Sequence, residues 1–149
     1  MEEKVNIKFR LVSIDSEQYT PKFEGIEFDS IPEERLKFQY KIDTEIQMSK
    51  GRILVIPSIR YSYEERELLA ASAIFTYSVF NLANAIAVDK ENQRINVNAD
   101  LFPSLVGAAY STLRGIVYAR TIGTPLAKYP LPMIEVKTLV EKNGISVED

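Results

Sequence analysis

From Val5 to Ile14 the residues Val5, Ile7, Phe9 and Leu11 alternate with Asn6, Lys8 and Arg10, the period of two that a half-buried strand requires. The alternation returns from Leu36 to Met48. Leu36, Phe38, Tyr40, Ile42, Ile46 and Met48 take one side, with Lys37, Gln39, Lys41, Asp43, Glu45 and Gln47 on the other, so one face is core and one is wet. Ser49-Lys50-Gly51-Arg52 makes a tight turn, and a third strand runs from Ile53 to Tyr63 with Ile53, Val55, Ile59, Tyr61 and Tyr63 aligned. Pro57 has no N–H to give a ladder, which predicts a bulge there or an edge position. Beyond the Glu64-Glu65-Arg66 turn, Leu68 to Phe80 places Leu69, Ala71, Ala73, Phe75, Tyr77 and Val79 on one face. Leu68, Ala70, Ile74 and Phe80 on the other face predict a central strand with a covered outer side.

The period changes at residue 99. In Ala99–Pro125 the residues Phe102, Leu105, Val106, Ala109, Leu113, Ile116 and Val117 share one face at 3.6 residues per turn. Asp100 is placed to cap this helix, Pro103 falls in its first turn, and Gly123 and Pro125 close it. Gly107, Ser111, Gly115 and Ala119 form a second row at i+4 spacing with nothing larger than serine. A glycine inside a helix costs about 1 kcal/mol relative to alanine, so the row predicts close approach of another backbone, either the chain's own sheet or a second subunit.

Between these elements lie three irregular stretches. Asp15 to Arg35 holds Pro21, Gly25 and Pro32 as breakers, together with Tyr19, Phe23, Ile26, Phe28 and Ile31. At about 20 residues it is long against a usual loop of ~4–6, which predicts a crossover to a distant strand or a functional segment. Leu82 to Val97 leaves its structure open. Thr124 to Met133, TPLAKYPLPM, is held extended by Pro125, Pro130 and Pro132. A short helix is expected within Ile134–Lys142 and a polar tail over 143–149. Residues 1–142 are therefore read as a single α+β domain, with the long helix packed on an antiparallel sheet.

Composition narrows the chemistry. The 149 residues suit one domain, which buries roughly 68–70% of its unfolded surface. The net charge of −3, without a basic patch, argues against nucleic acid as a partner. No apolar run reaches the length of a membrane span and the start MEEKVNIKFR has no signal-peptide core, so a cytoplasmic protein is expected. There is no cysteine and no histidine, which removes thiolate nucleophiles, imidazole bases, Cys/His metal sites and disulfides. No glycine-rich phosphate loop occurs. Asp43/Glu45 lie on the wet face of a strand and Glu64, Glu65 and Glu67 in or beside a turn, solvated settings rather than the buried or coupled site that a catalytic acid needs. Neither an enzyme nor a cofactor or metal site is expected. The aromatic and apolar residues of the two long irregular segments are candidates for satellite core or for an apolar binding groove.

Leu101-Phe102-Pro103 opening the long helix, and Gly123-Thr124-Pro125-Leu126 followed by Leu131-Pro132-Met133-Ile134, resemble conserved segments of the SecB-type protein-export chaperone family. The succession of a first strand, a crossover, three hairpin-linked strands, a long helix and a proline-rich segment is similar as well. Leu105 and Val106 stand where that family carries an arginine, and Ile134-Glu135 replaces its N-F. The resemblance implies a four-stranded antiparallel Greek-key sheet in spatial order 1-4-3-2, a bulge at Pro57 in an inner strand, and a homo-oligomer, a dimer or dimer of dimers, built on the Gly107, Ser111, Gly115 and Ala119 ridge. It implies ATP-independent holding of unfolded client polypeptide, for export or for a dedicated client, with Tyr19, Phe23, Phe28, Leu126, Tyr129 and Leu131 as contacts. It also implies docking on the SecA translocase through acidic groups, for which Asp43, Glu45 and Glu67 are available. The competing expectation is a non-catalytic assembly module that uses its apolar surfaces for its own oligomer alone.

Overall fold

The computed structural model describes residues 8–27, 31–89, 94–97, 101–141 and 143–148. β1 (Phe9–Pro21), β2 (Lys37–Gln47), β3 (Arg52–Tyr63) and β4 (Arg66–Val79) form an antiparallel sheet in the order β1-β4-β3-β2, the Greek-key order expected. Leu82–Ala85 is a single helical turn, α1. It leads into a separate hairpin of β5 (Ile86–Asp89) and β6 (Arg94–Val97). The long helix α2 (Leu101–Thr121) packs over β3 and β4, followed by the short α3 (Val136–Glu141) and by β7 (Asn143–Glu148).

The core forms where the two periods meet. Ile42, Ile46, Ile53, Val55, Ala73 and Phe75 are buried on the sheet side. Leu105, Val106, Ala109, Leu113 and Val117 are buried on the helix side, the face the 3.6-residue period predicts, with Ile116 half-buried at its margin. Leu101, Tyr110 and Thr121 join it. The helix ends where Gly123 takes a left-handed φ of 86°, a conformation that costs a residue with a Cβ about 1–2 kcal/mol. Thr124 then closes the end, its hydroxyl donating to the Thr121 carbonyl at 2.7 Å. The expected cap, Asp100, lies outside the described residues.

Four expectations need correction. β1 extends to Pro21, well into the stretch read as a crossover. Its polar residues Asp15 to Gln18 hid it because an edge strand exposed on both faces has no reason to alternate. Phe9 and Leu11, read as core, are 40% and 45% exposed, since α2 lies over β3 and β4 at the middle of the sheet. No bulge forms at Pro57: the β3–β4 register is the same on both sides of it, with Ile56 and Pro57 left unpaired, while Pro57 still faces Ile42 in β2. The missing N–H is absorbed as a gap in the ladder, and the β3 irregularity falls at Tyr61/Ser62 instead. Finally, Asn143–Glu148, expected as a tail, is a strand that runs parallel to β2 and extends the sheet to five strands.

Candidate polypeptide-binding surfaces

Tyr19 and Tyr129, two of the expected contact residues, lie toward one end of the sheet. Tyr19 in β1 stands opposite Ala71, Pro21 opposite Leu69, and Tyr61 on the far side of Leu69. The Tyr61 hydroxyl donates to the Tyr129 carbonyl at 2.7 Å, and that of Tyr110 to the Pro132 carbonyl at 2.8 Å. Burial pushes the pKa of Tyr110 up to about 12 and that of Tyr61 higher still, so both stay neutral donors. These two bonds hold the proline-rich segment down on the core. As a result Leu126 and Leu131 are 1% and 6% exposed, and both are corrected from contact residues to core anchors. Tyr19, Phe23 and Tyr129 are half-buried and packed against the core; Phe28 lies outside the described residues. Arg120, near the end of α2, hydrogen-bonds Glu17 and sits 5.8 Å from the centroid of the Tyr19 ring. That clasp ties the helix end to β1.

A second, more exposed apolar surface lies further along β1. Phe9, Leu11 and Ile14 stand opposite Val79, Tyr77 and Phe75, on the helix side of the sheet but outside the helix footprint. With Val12 they are each 39–45% exposed. The period of two marks Phe9 and Leu11 alone; the register shift between Leu11 and Ser13 brings Ile14 opposite Phe75, and only the position of the helix shows that these residues are uncovered.

The small-residue ridge faces away from the sheet. Ser111, Gly115 and Ala119 are exposed and Gly107 half-buried, and a Cβ added at Gly115 meets nothing within 4 Å. The chain's own sheet is therefore not the backbone this row approaches. The two charged residues of α2 are Arg114 and Arg120, and Tyr118 and Ile122 are exposed beside the ridge. Arg114, one turn before Tyr118, is the one charged side chain bordering the ridge, fewer than ordinarily cover a solvated helix face.

The acidic residues are occupied. Glu67 bridges Lys22 at 3.0 Å and Arg60 at 3.1 Å, Asp43 pairs with Lys41 at 3.5 Å, and Glu45 is half-buried in β2. They share the outer side of the sheet without converging. Among the described residues no three Asp or Glu side chains are placed to hold a metal ion. A cavity on the outer sheet face is lined by Gln18, Gln39, Lys41, Ser58, Arg60 and Ser72, with no carboxylate among its lining residues.

No helix among the described residues is long and apolar enough to cross a membrane. No family model matches the sequence, and no curated protein matches it. The solved structure of a protein of unknown function from Streptococcus agalactiae is similar over 88% of this chain and 99% of its own, at 10% identity and a TM-score of 0.37.

Proposed function

We propose that this protein is a non-catalytic binder of extended, non-native polypeptide that acts without ATP, as a holding chaperone does. The observation that carries this reading is the row of Phe9, Leu11, Val12 and Ile14 along an edge strand, each 39–45% exposed. It continues toward the half-buried Tyr19 on the same strand. Contiguous exposed apolar surface on a folded domain marks an interaction site, and several weak apolar subsites along one strand give a flexible chain additive hold. The absence of histidine and cysteine from the sequence fits a binding role. A translocase partner is not included, because Asp43 and Glu67 already pair with neighbouring lysine and arginine side chains.

The test is aggregation of a chemically unfolded protein followed by light scattering, without nucleotide. The unchanged chain is expected to suppress it at a few-fold excess, and the double variant Leu11→Ser/Ile14→Ser to lose most of that effect. Equal suppression by both chains rejects β1 as the contact surface, and no suppression by the unchanged chain rejects the function.

A second reading is supported by the outward ridge of Gly107, Ser111, Gly115 and Ala119 on α2, which suits contact with another copy of the chain. Gly115→Leu has room within the isolated chain and raises helix propensity by about 0.5–1 kcal/mol. A drop in native mass without loss of folding identifies the ridge as an interface; unchanged mass rejects it.

A further inference from the structure

We infer that the outer edge of β2 is an acceptor for an extended polypeptide strand, and that Asn143–Glu148 is its resident, displaceable occupant. The inference rests on the polypeptide-binding reading and assigns it a second site, at backbone rather than side-chain level.

The β2 edge is unusually regular. Its pairing with β3 runs from Lys37↔Ser62 to Gln47↔Arg52 without a shift, so its outward N–H and C=O groups form an unbroken row. Such an edge accepts any strand of suitable pattern. The segment that occupies it is a weak one. β7 is parallel in a sheet that is otherwise antiparallel, has β2 as its one neighbour among the described residues, and spans six residues. Parallel pairing is slightly less stable per residue, and Asn143, Gly144, Ser146 and Glu148 are poor strand formers.

β7 also leaves part of the edge open. Its register covers Ile42 to Gln47, and no strand among the described residues lies beside Lys37 to Lys41. Phe38 and Tyr40 stand on that open stretch with ring centroids 5.9 Å apart, half-buried. An incoming segment longer than β7 can pair first beside these aromatic residues and then replace β7 residue by residue. The partner this edge fits is an extended segment parallel to β2 with apolar residues at alternate positions, in the register that Ile145 and Val147 hold opposite Thr44 and Ile46.

The experiment uses the full chain and a fluorescein-labelled peptide with the sequence of residues 143–149. In an opened variant, Ile145→Pro/Ser146→Pro, one of two successive N–H groups facing β2 is lost whichever residue supplies it. In a locked variant, Glu45→Cys/Ser146→Cys, two residues in register are joined by a disulfide in a chain that has no other cysteine. By fluorescence anisotropy the opened variant is expected to bind the peptide at least about tenfold more tightly than the unchanged chain. The locked variant should bind none, and regain the binding of the unchanged chain on reduction. The inference is overturned if the opened variant binds no better than the unchanged chain. It is equally overturned if that variant does not fold, because a displaceable occupant cannot be required by the core. Should the peptide fail to bind while the chain still suppresses aggregation, the β2 site alone is rejected; loss of suppression in the light-scattering assay rejects the broader function independently.

Discussion

β1 and β2 border the same four-stranded sheet and are protected in opposite ways. Among the described residues β1 has no strand beyond it, but its pairing with β4 shifts between Leu11 and Ser13 and again between Asp15 and Gln18, where Ser16 takes a φ of 51°. These irregularities twist the strand and disrupt its outward row of backbone groups, while leaving its apolar side chains exposed. β2 has the regular backbone of a good acceptor, and β7 covers half of it. The difference separates two properties often treated as one: β1 is open to side-chain contact and poor in backbone pairing, whereas β2 is good at pairing and partly closed.

The largest effect expected from this contrast is in stability. Ile46, fully buried in β2, should lose about 2–5 kcal/mol of unfolding free energy on replacement by alanine, measured by urea denaturation. A loss below about 1 kcal/mol would show that the β2 half of the sheet is no better packed than the β1 half.

Alkaline unfolding sharpens the contrast next. Burial holds Tyr77 and Tyr110 at about 12 and raises Tyr61 further. Each folded-state value exceeds the unfolded value of about 10, so the neutral forms contribute stability that is complete below pH 10 and lost as pH rises through 12. Phenolate absorbance should therefore show these tyrosines ionising together with loss of far-ultraviolet ellipticity. Ionisation with the fold intact would mean that the proline-rich segment is not held by Tyr61 and Tyr110.

Smaller effects fall on β1. Ser16→Gly relieves a left-handed residue and should raise stability by no more than about 1 kcal/mol; a loss would show that the Ser16 irregularity is held by side-chain contacts rather than by backbone geometry. Leu11→Ala, at an exposed position, should change stability by about 0.5 kcal/mol or less. A loss as large as that of Ile46→Ala would place Leu11 in a core and remove the surface on which the proposed function rests.

Much of this fold is legible along the chain. The alternation in Leu36–Met48 and Leu68–Phe80 and the helical period after residue 99 name most of the buried residues of β2, β4 and α2, but not Thr44, Thr76, Leu101, Tyr110 or Thr121. What escaped was the part whose environment is unlike its composition. β1 continues through Asp15–Gln18 because an edge strand needs no apolar face, and Leu126 and Leu131 turned from contacts into core because the hydroxyls of Tyr61 and Tyr110 pull their segment inward. Only partner geometry reveals β7, since Asn143–Glu148 has little strand propensity of its own and takes its structure from the β2 ladder.

Local periodicity by itself determined that this protein has four main strands, one long helix and a core between them, because side-chain spacing decides which faces are able to be buried. The tertiary structure decided which of those faces are in fact covered. The helix lies over β3 and β4 and leaves Phe9, Leu11 and Ile14 uncovered, and a weak parallel strand closes half of β2. Coverage depends on where one element's footprint ends on another, a distance between residues far apart in sequence that no local pattern encodes.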